Sequence, residues 1–168
     1  MTLQDLLSNA KALQDGLSRG DTVRQVVSNH SKDIIDLQRY QLLQGKASDG
    51  ADMRPYYTED LKPNGYFNSV ESAKRYAAWK GTISYPQQAE RNANAPNLYI
   101  NGKFHNELRV SFGAREMVID GSSSYSRGIV DKYGLEKFGL SSEKWREIFF
   151  DKGGYDELMD EVKRILYY

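Results

Sequence analysis

No apolar run in this chain exceeds four residues; the longest are Tyr76–Trp79 and Ile165–Tyr168. That excludes a bilayer-spanning helix. The first basic residue is Lys11 and no apolar segment of leader type follows it, so no secretory signal is expected. At 168 residues the chain can hide roughly 70% of its unfolded surface, enough for one core. Apolar residues are 39% of the total and mean hydropathy is −0.69, while twelve residues are Tyr. Few aliphatics and many tyrosines suit a protein that buries amphipathic side chains against a partner.

Three zones follow from the punctuation. Residues 1–45 read as a helical segment. Leu3, Leu6, Leu7, Ala10, Leu13 and Leu17 form one stripe after a Thr2 cap. Gly20 stops that helix and Asp21 starts a second, which carries Val23, Val26, Val27, Ile34 and Leu37 to Gly45. The two form a hairpin or one bent rod, projecting or packing separately.

Residues 46–97 read as extended loops around one helix. Gly50, Pro55, Pro63 and Asn64-Gly65 punctuate the first connection; Pro86, Pro96 and three Asn mark the second. Between them Asn68 and Glu71 predict a capping box that opens a helix from Ser69 to about Lys80, closed by Gly81. Connections this long are unusual in a compact domain. They are either surface loops or arms that fold against neighbouring subunits.

Residues 98–168 read as an α+β core: a small, mainly antiparallel sheet over about 98–121 with helices packed on one face. Leu98-Tyr99-Ile100 is a strand candidate and Asn101-Gly102 a turn. Leu108, Val110 and Phe112 alternate onto one sheet face, and residues 116–121 return. A helix from Tyr125 to Tyr133 follows, with Ser124 as cap and Gly134 as stop. Ser141 or Ser142 caps the next, bearing Trp145, Ile148 and Phe149. Gly153-Gly154 breaks it before a last helix with Tyr155, Leu158, Met159, Val162, Ile165 and Leu166 on one side.

Reactive groups are sparse. There is no Cys, which removes disulfides, thiolates and Cys-based zinc sites. The two histidines, His30 and His105, lie in different zones and make no metal-binding pair. Ser122-Ser123-Ser124 lacks a nucleophile-elbow frame. The carboxylate spacing of phage-type muramidases fails: nine residues after Glu59, Glu71, Glu90 and Glu107 stand Asn68, Lys80, Tyr99 and Glu116. Asp49 to Asp60 lacks the closing Glu of a calcium loop, and no phosphate-binding Gly loop occurs. Twenty-three basic residues balance 23 acidic ones, which speaks against a general nucleic-acid binder. Lys62, Lys74, Arg75, Lys80 and Arg91 lie near Tyr66, Tyr76 and Trp79 and read as a solvated helix face. No cofactor and no metal are expected.

The order from Leu98 to Gly134 carries a resemblance. Asn101-Gly102, then Leu108-Arg109-Val110-Ser111, then Val118-Ile119-Asp120-Gly121, then Tyr125-Ser126 leading to Gly134 resembles the small tail-completion or virion-morphogenesis proteins of tailed phages. Those show a Gly-x-Leu-x-x-Ser block and a later Tyr-Ala block ending in Gly. Here the Gly102-to-Leu108 spacing is longer, and Ser126 stands in the place of Ala. The chain also looks like neck and tail-joining proteins of phages and prophages of gut bacteria, including the crAss-like group. The resemblance covers about the last 70 residues.

It implies a non-enzymatic virion protein, made in the host cytoplasm. Its partners would be copies of itself in a ring, portal or other neck proteins, and tail proteins. DNA would be met only as the contents of the channel, and no membrane is involved. A small sheet with free edges is completed by such a ring, and neutral net charge limits repulsion between copies. In this reading the loops 46–68 and 84–97 are inter-subunit arms, anchored by Tyr56, Tyr57, Tyr66, Phe67 and Tyr85. Tyr125 and the pair Tyr167-Tyr168 complete the interaction residues, since aromatic rings bury much area for few rotors. The alternatives are a small cell-wall hydrolase and a DNA-binding accessory factor.

Overall fold

A computed structural model describes residues 2–57, 67–84, 94–113, 116–134 and 137–167. The fold is α+β, with helices packed around one small antiparallel hairpin. Helix α1 (Leu3–Arg19) opens on Thr2, whose hydroxyl accepts from the Asp5 N–H while the Asp5 carboxylate accepts from the Thr2 N–H. It closes on Gly20 at φ 76°, a left-handed cap that glycine adopts without strain.

The predicted second helix is two. Helix α2 (Asp21–Asn29) ends at His30, and α3 (Ser31–Leu43) starts there. No Gly or Pro marks this break. It is held by the buried His30 ring, which lies 3.4 Å from Asp33 and 3.3 Å from Glu157 of α8 (Gly154–Tyr167). Lys152 adds an ion pair to Asp33.

Helix α3 is the centre of the molecule. Ile34, Ile35, Leu37, Leu42 and Leu43 are buried, and so are Gln38 and Gln41. A helix covered on so much of its circumference is a core helix. The same cluster takes in Ala47, Met53, Phe104, Leu108, Ile119, Val130, Phe138 and Ile148. Residues from 1–45 therefore pack in one cluster with residues from 98–168. Gln41 donates to the carbonyls of Ala47 (2.9 Å) and Gly139 (2.8 Å) and accepts from the Ser141 N–H (3.0 Å). Gln38 accepts from the Gly139 N–H at 2.8 Å. The Gly139 peptide and the Ser141 N–H, beside apolar side chains, take their partners from these amides, while the Ala47 carbonyl also accepts from the Gly50 N–H.

Helix α4 (Val70–Thr82) is capped by Ser69 with Ser72 at the third position, one residue later than the Asn68–Glu71 box predicted, and it runs through Gly81. The predicted strand at 98–100 is absent. Leu98 sits at φ 55°, the one described non-glycine residue in the left-handed region, and Gly102 caps a short helix α5 (Lys103–Glu107). The sheet is thus β1 (Leu108–Phe112) with β2 (Met117–Gly121). Val110 pairs with Ile119 and Phe112 with Met117, which places the predicted apolar face inward. The Gly113 N–H donates to the Glu116 carbonyl across the turn.

Helix α6 (Ser124–Tyr133) is capped by Ser123, not Ser124. It crosses β2 so closely that a Cβ on Gly121 would lie 2.1 Å from the Ser126 Cβ. The hydroxyls of Ser123 and Ser126 both donate to Glu107 and hold its carboxyl below the usual range. Helix α7 (Ser142–Arg146), capped by Ser141, widens into a π-helical turn over Glu147–Asp151. There the Lys152 N–H reaches back five residues to the Glu147 carbonyl, 3.0 Å away. Helix α8 then returns along α1 and α2, with the Asn9 amide on the Leu166 carbonyl and the Asn29 amide on Glu157. The N-terminal helices pack on the body and do not project from it. No helix among the described residues is long and apolar enough to cross a membrane.

The glutamine latch gives a graded test. Gln41→Leu orphans the Gly139 carbonyl and the Ser141 N–H, the Ala47 carbonyl keeping the Gly50 N–H, and should lower unfolding free energy by roughly 2–4 kcal/mol. Gln38→Leu orphans one, and it removes an amide nitrogen that has no partner among the described residues, so it should cost clearly less. Urea denaturation of both variants measures the order; equal losses would mean the latch does not support the loops.

Candidate functional site

The residues expected to anchor inter-subunit arms do two different things. Tyr56 is 3% exposed and packs with Ala73 and Ala77 of α4 in a second cluster. Its ring meets Tyr76 edge-on at 5.1 Å and Phe67 at 5.7 Å, an arrangement aromatic quadrupoles favour. Tyr57 and Phe67 lie partly buried against the same group, with the Lys74 ammonium 5.7 Å from the Tyr57 ring centre. Tyr56, Tyr57 and Phe67 therefore hold the first connection to its own chain. Tyr66, Tyr85 and Tyr168 lie outside the described residues.

Asn94 ties the two connections together. Its side-chain amide donates to the Tyr57 carbonyl (2.8 Å) and accepts from the Tyr57 N–H (3.3 Å), and its own carbonyl accepts from the Tyr56 N–H (2.8 Å). One asparagine thus gives residues 56–57 the hydrogen bonds of a neighbouring strand. Where described, the connections are stapled to each other and to α4.

A polar node lies beneath them. Lys80 is only 3% exposed, and its ammonium donates to Asn97 Oδ1 at 2.7 Å and to the Tyr99 carbonyl. A buried charge requires such partners. The left-handed turn at Leu98 brings both acceptors round the ammonium, which is why a sequence with strand propensity at 98–100 does not form one. Lys80 therefore does not belong to a solvated basic face. The neighbouring His105 ring meets the Asn97 carbonyl through Nε2 at 2.9 Å, and the His105 carbonyl accepts from Arg39 Nε at 2.8 Å. Burial, with the charges of Arg39 and Lys80, pushes the His105 pKa down to about 4. Above the node a cleft of about 220 Å³ is lined by Tyr56, Tyr76, Phe104, Tyr125 and Tyr133, with Lys80 in its wall.

The free aromatic and aliphatic surface lies elsewhere. Tyr125 is 51% exposed at the cleft mouth, its ring 5.0 Å below the Lys103 ammonium, and Tyr167 is exposed at the end of α8. On α1 the covered positions are Asn9, Leu13 and Gly16, whereas Leu6, Leu7, Ala10 and Leu17 are exposed; Leu7 reaches 62%. At 3.6 residues per turn the contact side is rotated roughly a quarter turn from the apolar stripe. Helix α8 therefore covers one flank of α1 and leaves the stripe open. Phe150 and Tyr155 are also exposed, on the corner between α7 and α8. The adjacency of Phe149 and Phe150 was the available signal, since neighbouring residues on a helix cannot share a face.

Among the described residues no group of three or more His, Asp or Glu is placed to hold a metal ion. Comparison with protein-family models, with curated proteins and with solved structures finds no match for this chain.

His105 carries a pH signature. In the unfolded chain it takes up a proton near pH 6.5, whereas the folded pKa is about 4. The unfolded state binds the extra proton between these values, so stability should fall as pH drops from about 6.5 to 4, by on the order of 3 kcal/mol from this residue. Urea melts of the parent and of His105→Gln across that window should show a shallower slope in the variant. Parallel slopes would place the histidine in contact with water.

Proposed function

We propose that this chain is a structural assembly subunit and that its assembly is the neck or tail-completion joint of a tailed-phage particle. There it would join portal-side and tail-side proteins around the DNA channel. The observation that carries the reading is the open stripe of α1: Leu6, Leu7 and Leu17 stand exposed on one side of a helix whose other side is already packed. A row of exposed aliphatic side chains along one side of a helix favours association. The particular assembly is suggested by the resemblance over residues 98–134. The hairpin presents two short edges, and a neighbouring subunit can pair or cover them.

Particles purified from the phage or prophage that encodes the chain should contain it as a stoichiometric component by mass spectrometry. Leu7→Glu should leave the thermal midpoint of the isolated chain within error, because the side chain is exposed, and should reduce incorporation into particles at least about tenfold, as loss of a central contact does. Absence of the parent chain from particles would overturn the reading, as would clearing of a peptidoglycan gel by the purified protein.

A further inference from the structure

A polar groove of about 330 Å³ runs between α3 and the segment from Tyr99 to Asn106. Its wall holds groups with hydrogen-bonding capacity to spare. The Arg39 guanidinium is oriented by two of its donors, Nε on the His105 carbonyl at 2.8 Å and Nη1 on Asp36 Oδ1 at 3.2 Å. Arginine has five N–H donors, and Nη2 has no partner among the described residues. The His105 ring is 3% exposed and lines the groove. Its Nε2 meets the Asn97 carbonyl, which can only accept, so Nε2 carries the proton. Burial holds the ring neutral down to a pKa of about 4. Nδ1 is then an acceptor without a partner among the described residues. At the rim, the Asn106 side-chain amide has none either, and Asn101 engages only its oxygen, on the Lys103 N–H.

The charges select the sign of a ligand. Arg39 and Asp36 stand in the wall, Lys32 bonds Asp36 from outside at 3.0 Å, and Lys80 lies behind His105. The other nearby charges are engaged elsewhere: Asp33 with Lys152, Glu107 with Ser123 and Ser126, and Lys103 beside the Tyr125 ring. Asp36 is the one carboxylate lining the groove, and Lys32 and Arg39 both already hold it. Arg39, Lys32 and Lys80 together favour an anion, while Asp36 beside Arg39 favours one negative charge over two. A cavity of about 150 Å³ holds one benzene ring, so this groove takes a ligand of roughly twice that size.

We propose that the groove binds a sugar acid, a six-carbon polyol with one carboxylate. The carboxylate sits on Arg39, a hydroxyl donates to His105 Nδ1, other hydroxyls meet the amides of Asn101 and Asn106, and the C–H face lies on the Tyr99 ring. A bare carboxylate has no donor for Nδ1, and a neutral sugar has no charge for the guanidinium; a sugar acid uses both. The groove shares no residue with the exposed stripe of α1, so this inference stands apart from the assembly reading.

The test is titration of the isotope-labelled chain with galacturonate and glucuronate at neutral pH, followed by two-dimensional NMR. Glucose, acetate and glucose 6-phosphate are the comparison ligands. The Arg39 Nε–H and the Asn101 and Asn106 side-chain amides should shift saturably, and one of the sugar acids should bind at least about tenfold more tightly than each comparison ligand. Arg39→Gln should weaken that binding at least about tenfold. Arg39 also supports the His105 carbonyl, so a second variant is needed that leaves the fold alone. Asn106→Ala changes an exposed side chain; it should weaken binding roughly threefold to tenfold while the thermal midpoint stays within error. Should Arg39→Gln unfold, Asn106→Ala decides. The inference is overturned if neither sugar acid gives saturable shifts at its solubility limit, if any comparison ligand binds as tightly, or if a folded variant keeps the parent's affinity.

Discussion

Two glutamine side chains on α3 fix the relation between the middle of the chain and its end. Gln41 bonds the backbone at Ala47, Gly139 and Ser141, and Gln38 bonds Gly139. An aliphatic helix alone could bury the same area, but it could not satisfy peptide groups of irregular segments brought into the core. With the amides in place, the approach to α7 can pass through the interior without secondary structure of its own, while the turn after α3 adds backbone bonds such as Gly50 N–H to Ala47 and Met53 N–H to Gly45. The hairpin, α6 and the π-helical turn then close around the same helix through Leu108, Ile119, Val130 and Ile148.

The outer layer is organised differently. Helix α8 lies along one flank of α1 and runs on past α2, with a single polar contact near each of its ends, Leu166 to Asn9 of α1 and Glu157 to Asn29 of α2. Most of α8's apolar positions are half-buried, whereas α1 keeps several exposed. The molecule thus gives the irregular backbone of its interior side-chain partners and carries its apolar surface features, the α1 stripe and the Phe150–Tyr155 corner, on helical elements. Surfaces of that kind are ordered before they meet anything, which lowers the entropic cost of association.

Local signals in the sequence were enough for much of this. The Thr2 cap, the Gly20 stop, the alternation at 108–112 and the Gly153-Gly154 break act within a turn or two of the residues that carry them. The division at His30 was not legible, because a buried ring and carboxylates from α3 and α8 make it. The absent strand at 98–100 was hidden for a similar reason: Lys80, far along the chain, recruits Asn97 and the Tyr99 carbonyl. Loop asparagines read as turn formers, yet Asn94 and Asn97 act as a surrogate strand and a cation ligand. Tyrosine count pointed to partners, while Tyr56 serves its own core and Tyr125 and Tyr167 remain outside. Composition reports how many rings exist; only tertiary placement says which are already spent.

The wide turn at 147–151 holds one residue more than an α-helical turn needs. Phase along a helix accumulates residue by residue, so this surplus swings everything after it by about 100° relative to an uninterrupted spiral. Phe150 lies within the turn, on the side opposite the buried Ile148, and faces outward with or without the surplus. What the count sets is the direction in which the chain leaves the turn toward Gly153 and α8, so deleting a single position there would re-aim the helix that packs on α1 and α2 while leaving every neighbouring identity intact.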